Sequence, residues 1–259
     1  MTQSEMDVNI DLERITAIEA SYAGLDPMEA YYRKRSIQYK MVGPLAPPTR
    51  TLLEQALRDQ DNVLDVGCGD GGTLLDCAHL YHTGVGLDES HYILDQARAK
   101  AKQRAISNVD FQWGKAIDLP FQGETFDFVW TERGPLGHND PTLAEALRVL
   151  KPGGCIFVET LASTGPDRTV LTDLETERDR FERHGLKLEI LASRIQEDWF
   201  QDIYAWFEFQ CSLWRYFDKK PPFPYTTDTL QAQLEYAGGD DRSFSLPNHT
   251  IWIGGRKKG

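Results

Sequence analysis

The residues best able to do chemistry sit in one short run, Val63-Leu64-Asp65-Val66-Gly67-Cys68-Gly69-Asp70-Gly71-Gly72. An apolar strand pattern leads into a turn of small residues and then into a helix pattern. Glycine allows tight backbone geometry there and lets a ligand approach the main chain without meeting a Cβ. The helix start that follows offers unpaired N–H groups. Gly67, Gly69 and Gly72 also spell the G-x-G-x-x-G spacing of a dinucleotide turn, a pattern equally compatible with a merely tight strand-to-helix connection. Asp65 discriminates. It lies two residues before the first glycine, near the carboxyl end of the strand, where side chains face the ligand crevice. A carboxylate there would repel a pyrophosphate and would suit a cation.

The elements that must position this turn follow from periodicity. Strand-sized apolar runs (NVLDV, TGVGLD, NVDFQW, TFDFVWT, GGCIFVET) alternate with helical patterns (GGTLLDCAHLYH, ESHYILDQARAKAKQRA, PTLAEALRVL) across residues 61–161. Such alternation predicts a parallel sheet covered on both faces. LKLEILASRI and NHTIWIGGRK supply two more strands, and RTVLTDLETERDRFERHG a charged helix ending at Gly185. The expected fold class is α/β, a doubly wound, seven-stranded, mostly parallel sheet. The expected organisation is an N-terminal helical cap over residues 1–60, a core over 61–197 and 248–259, and a helical lid over 198–247.

DVGCGDGG resembles motif I of the class I S-adenosylmethionine-dependent methyltransferases, and further matches follow in that family's order. Strand two ends in Gly86-Leu87-Asp88, Gly114-Lys115-Ala116-Ile117-Asp118-Leu119-Pro120-Phe121 is similar to the family's G-D-A-x-D-L-P-F stretch, Phe126-Asp127-Phe128-Val129 to its F-D-x-V strand, and Leu147-Arg148-Val149-Leu150-Lys151-Pro152-Gly153-Gly154 to its L-R-V-L-K-P-G-G turn. The resemblance covers residues 61–161 and is nearest to the branch containing quinone-biosynthesis enzymes. It implies S-adenosylmethionine as cofactor, S-adenosylhomocysteine as product, and a cofactor set of Asp65, Gly67, Cys68, Gly69, Asp88, Glu89, Ala116, Ile117, Asp118 and Thr131. Asp65 would lie near the methionine end and Asp88 at the ribose hydroxyls. Lys115 departs from the family, which often has an acid there; lysine cannot accept a hydrogen bond. Either Asp118 meets the adenine amino group, or backbone at Ala116 and Ile117 does. Cys68 needs no covalent role, because methyl transfer from a sulfonium requires no enzyme nucleophile.

The segment after strand four, Thr131-Glu132-Arg133-Gly134-Pro135-Leu136-Gly137-His138, lies where a substrate would meet a cofactor in a doubly wound sheet. Glu132 or His138 could serve as general base toward a hydroxyl or amine, and Arg133 could clamp an anionic acceptor. Glu132 and Arg133 could equally pair with each other. Aromatic residues crowd the stretch from Trp199 to Phe217, with Trp199 and Tyr204 as candidate acceptor contacts. Their helical spacing fits packing on the core or the N-terminal helices, a lid over an apolar pocket, or both; Tyr31 and Tyr32 would add to such a lid.

Bulk properties narrow the classes. A net charge of −12 argues against a generic nucleic-acid binder, leaving one local basic stretch at Arg33, Lys34, Arg35 and Lys40. The polar, acidic start is not a signal peptide, and no run has the length of a membrane span, so a cytoplasmic protein without a membrane partner is expected. The four cysteines form no C-x-x-C pair, and His79 and His82 lack a third ligand, so no metal site is expected. The sequence thus reads as a methyltransferase acting on a small-molecule acceptor. An RNA or protein methyltransferase, an NAD(P)-dependent oxidoreductase and a non-catalytic cofactor-binding protein are the alternatives.

Overall fold

The computed structural model describes residues 10–33, 39–42, 48–137, 139–161, 170–216, 218–221, 223, 226, 228–232 and 244–259. It divides into a larger unit, Pro44–Ile195 with His249–Gly259, and a smaller one, Met1–Gly43 with Gln196–Asn248.

In the larger unit, helices α3 (Pro48–Ala56), α4 (Gly72–Asp76), α5 (His91–Gln103), α6 (Asp140–Val149) and α7 (Val170–Arg183) flank strands β2 (Asn62–Val66), β3 (Thr83–Asp88), β4 (Val109–Trp113), β5 (Phe126–Glu132), β6 (Leu150–Leu161), β7 (Leu186–Phe200) and β8 (Phe244–Lys257). The seven strands run in the order β7-β8-β6-β5-β2-β3-β4. The pairs β2–β3, β2–β5, β3–β4 and β5–β6 are parallel, and β8 returns antiparallel to β6. This is the doubly wound sheet expected from the sequence, and its parallel part reverses order at β2 and β5, where such sheets bind ligands.

Side chains alternate across each strand. Leu64, Val66, Leu87, Val129, Ile156 and Val158 therefore fall in one core with α6 and α7 residues Leu143, Leu147 and Phe181. Val63, Phe128, Trp130 and Phe157 fall in the opposite core with Leu53, Leu74, Leu94 and Ala97 of α3, α4 and α5. Helix α5 starts where Ser90 accepts the Ile93 N–H, and it buries Ile93, Ala97 and Ala101 as their spacing predicts. Helix α4 spans only five residues, much less than the expected GGTLLDCAHLYH helix.

The smaller unit holds α1 (Leu12–Tyr22), α2 (Pro27–Arg33), β1 (Tyr39–Val42) and α8 (Ile203–Tyr216). Its core joins Ile15, Tyr22 and Ala30 to Ile203, Trp206, Phe207, Cys211 and Trp214, so α8 packs on the N-terminal helices. Strand β1 was not expected; it pairs antiparallel with the end of β7, Tyr39 opposite Phe200. Two expected boundaries move. Residue 60 gives way to 43/44, because Leu53 of α3 and Leu57 just after it are buried in the core of the larger unit. The start of the lid at 198 gives way to 195/196, with residues 198–200 still in β7. Among the described residues, no helix is long and apolar enough to cross a membrane, and no cluster of histidine, cysteine, aspartate or glutamate could hold a metal.

Candidate active site

Four carboxylates stand at the carboxyl ends of four neighbouring strands: Asp88 on β3, Asp65 on β2, Glu132 on β5 and Glu159 on β6. Strand period places all four on the face that carries α3, α4 and α5. Glu132 and Glu159 are register partners, and Asp65 lies opposite Trp130. Asp65, Asp88 and Glu159 are buried. Burial pushes the Asp65 carboxyl well above the ordinary carboxylate range, and the charges of Glu132 and Asp88 push the same way. The neighbouring Trp130 indole opposes them but makes no hydrogen bond at normal distance. Burial, then the charge of Glu132, also raises Glu159. Buried carboxyls such as Asp65 and Glu159, whose ionisation burial and neighbouring charge oppose, make a site that a cation relieves.

The glycine turn is shaped by sterics. Gly67 (φ +77°) has no room for a side chain: a Cβ would come within 2.6 Å of Pro135 Cδ. Gly71 (φ +69°) is the left-handed residue before α4, and its Cβ would strike the Phe111 ring at 2.5 Å. The Gly67 and Cys68 N–H groups both donate to Leu87 O, at 2.7 and 3.0 Å, tying the turn to β3. Asp88 then clasps it: Oδ2 accepts the Gly69 N–H and Oδ1 accepts the Ser90 N–H, each at 3.0 Å. Ser90, not Asp88, caps α5. The next residue, Glu89, accepts the Trp113 indole N–H at its carbonyl, 2.8 Å away.

The 114–121 stretch is held from α6. The Leu119 N–H donates to Glu145 Oε2 at 2.9 Å, and Arg148 donates to the carbonyls of Phe121 and Leu119 at 2.8 and 2.9 Å. Lys115 and Asp118 close a small bridge through the Asp118 N–H. Ile117 is left exposed and Ala116 half-buried against the core.

Thr131 is fully buried and its hydroxyl donates to Val66 O at 2.6 Å, so its side chain braces β5 against β2. Cys68 is buried and its thiol is raised well above its ordinary value, chiefly by burial. Glu132 and Arg133 do not pair with each other. Glu132 takes the hydroxyl of Thr73 in α4, while Arg133 lies 3.5 Å from Glu159 and donates its backbone N–H to Glu159 O at 2.8 Å. Arg133 also has φ +51°, a left-handed backbone that a non-glycine residue adopts only when its surroundings hold it. His138 lies outside the described residues. Tyr204 belongs to the smaller unit, where its hydroxyl accepts the Asp11 N–H at 2.8 Å and the Arg14 guanidinium covers its ring at 3.9 Å. Trp199 is half-buried in β7 opposite Lys40. Tyr31 and Tyr32 meet edge to face, 5.2 Å apart.

Glu159 was missed from sequence. Besides Arg133 it accepts the Thr49 hydroxyl of α3 and the Trp252 indole N–H of β8, the latter at 3.0 Å. Its only local signal was an acid two residues beyond Phe157 on the same face of strand five.

Residues 63–154 match the family model described as a methyltransferase domain. The demethylmenaquinone methyltransferase of Lactococcus lactis subsp. lactis (strain IL1403) is 37% identical over 111 residues, 40% of this chain and 44% of that relative. This chain thus aligns with less than half of that relative's length. Among solved structures, the YcgJ protein of Bacillus subtilis shares the fold with a TM-score of 0.58 at 19% identity, over 82% of this chain and 99% of that one. The cyclase SpnF shares it at 0.54 and 22%, over 82% of each chain. Motif order, sheet order and the family match agree over residues 63–154, which are similar to a methyltransferase domain and lie in a doubly wound, Rossmann-like sheet.

Proposed function

We propose that this chain transfers a methyl group from S-adenosylmethionine to a small-molecule acceptor. The observation that carries the reading is Asp65, a buried carboxylate beside the glycine turn whose charged form is penalised by burial and by Glu132 and Asp88. An ammonium and a sulfonium would relieve that penalty; a pyrophosphate would add to it. The donor set fits the rest of the nucleoside. Asp88 presents a carboxylate to a ribose diol, and a carboxylate accepts up to about four hydrogen bonds. Ala116, Ile117 and Asp118 lie on a loop stiffened from α6, with backbone and one acid for an adenine edge. The demethylmenaquinone methyltransferase likeness favours a small acceptor.

When bound, the cofactor supplies an electrophilic methyl group; the protein's share is alignment, exclusion of water and, for a protonated acceptor, a proton acceptor. Glu132 is the described carboxylate at the end of β5, and Thr73 fixes its direction from α4. Arg133, held by Glu159, offers a guanidinium edge to an anionic acceptor group.

Thermal melting tests the reading. S-adenosylhomocysteine at a hundred times its Kd adds about 2.7 kcal/mol, a rise of several degrees at this size, whereas NAD and NADP are expected to give none. A shift with the nicotinamide cofactors alone overturns it. Label from S-adenosylmethionine should then pass to a component of a metabolite extract.

A second reading, cofactor binding without methyl transfer, is favoured by one observation. Both Glu132 and Arg133 are engaged by protein partners, Thr73 and Glu159. Cofactor binding with no labelled product would select it.

A further inference from the structure

Residues 134–137 follow β5 and pack on the sheet face opposite the acids. A Cβ on Gly134 would meet Thr131 Oγ1 at 2.0 Å, and one on Gly137 would meet Thr160 Oγ1 at 2.2 Å, so the loop lies against β5 and β6. Its far end is the start of α6, where Asn139 Oδ1 accepts the Thr142 N–H at 3.2 Å and the Thr142 hydroxyl donates to Pro135 O at 2.6 Å.

One side chain from outside the loop spans it. Arg180, in the last turn of α7 and only 4% exposed, donates through Nη2 to Leu136 O at 2.9 Å and through Nη1 to Asn139 O at 3.2 Å. Glu177, one turn earlier and fully buried, accepts from Arg180 Nη2 at 2.6 Å and Nε at 3.2 Å. Those two carbonyls bracket Gly137 and His138 in sequence. Burying an ion pair rarely yields net stability, since desolvation offsets the attraction. Spending one to grip two loop carbonyls suits a segment that must be held in one place.

We propose that Arg180, oriented by Glu177, is a positioning residue of the transferase site: its guanidinium fixes Leu136 and Asn139 in the segment that continues from Glu132 and Arg133. The proposal rests on the reading of this crevice as a methyl-transfer site. A planar guanidinium can serve both carbonyls and Glu177 in fixed directions, whereas a lysine ammonium is a point charge on a flexible stem. Arg180 touches neither reacting group, so it acts through the loop.

The test uses the full chain as wild type, Arg180→Lys, and the double variant Arg180→Met with Glu177→Met. The double variant removes both buried charges together, which avoids the collapse expected when one is left unpaired. Three quantities are read: amide hydrogen exchange over residues 134–143, affinity for S-adenosylhomocysteine, and label transfer into a metabolite extract. The expected result in the double variant is loop exchange about tenfold faster or more and transfer about tenfold slower, on the scale of hydrogen bonds to a charged group. Cofactor affinity should stay within about twofold of wild type, and Arg180→Lys should be intermediate in exchange and transfer. Unchanged loop exchange overturns the proposal. So does faster exchange with unchanged transfer, and so does a loss of cofactor affinity in step with transfer, which would mark a general loosening. Wild type that binds S-adenosylhomocysteine but labels nothing overturns the transferase reading instead, while the exchange data still decide whether Arg180 holds the loop.

Discussion

The two sides of the crevice are built differently. On the β2–β3 side, the proposed cofactor cradle is backbone: a glycine turn hydrogen-bonded to Leu87, clasped by Asp88, and packed so that Gly67 and Gly71 admit no side chain. Nearly every part comes from two strand-to-helix connections less than thirty residues apart in sequence. On the β5–β6 side, position is set by side chains arriving from far away. Thr73 reaches Glu132, Thr49 and Trp252 reach Glu159, and Arg180 reaches the loop.

The strongest break of that contrast is Gly67→Ala. It combines a left-handed backbone with a clash on Pro135, for an expected destabilisation of about 2–5 kcal/mol. Denaturant unfolding should show it, with S-adenosylhomocysteine binding lost in calorimetry; unchanged binding would show that the turn is not the cradle. Next comes Asp88→Ala. It removes the acceptor for the Gly69 and Ser90 N–H groups, and the affinity for S-adenosylhomocysteine should fall about ten- to a hundredfold.

Thr131→Val tests the β5 brace. It strands the Val66 carbonyl in a buried place, so about 1–3 kcal/mol of stability should go, with cofactor affinity little altered. A large affinity loss at preserved stability would return Thr131 to the ligand-binding set.

Asp65 sharpens the contrast through pH. Its carboxyl titrates higher in the folded chain than in the unfolded chain, chiefly through burial and then through Glu132 and Asp88. Between those two values the native state holds the extra proton, so stability of the unliganded protein falls as pH rises from about 4 through the raised value. Asp65→Asn should remove that fall, leaving the apo protein at least as stable at neutral pH while S-adenosylmethionine binds more weakly. Melting curves across pH, with and without ligand, give both readings. An apo protein destabilised by Asp65→Asn at neutral pH would mean that the carboxylate is already compensated by the protein.

The cofactor side was legible because its determinants are local. The strand run NVLDV, the glycines and the acid at the end of TGVGLD each follow from backbone rules acting over a few residues, and they appear where expected. Helix α5 was readable for the same reason, through Ser90 and the Ile93-Ala97-Ala101 spacing. The direction of the Thr131 side chain was not legible, because a residue beside a candidate site in sequence can still face the other side of the sheet, and only the register of β5 against β2 shows which. Helix α3 was assigned to the wrong unit because an amphipathic pattern says that a face is buried but not against what.

Sequence alone determined the α/β class, the strand-turn-helix cradle and the two acids beside it, since chirality, strand period and glycine sterics act within a few residues. Only the tertiary structure decided that Glu159 joins those acids, that Glu132 and Arg133 turn to separate partners, and that Arg180 spans the loop after β5. Those contacts join residues dozens to hundreds of positions apart, and their geometry is set by sheet order and helix packing, which no local pattern encodes.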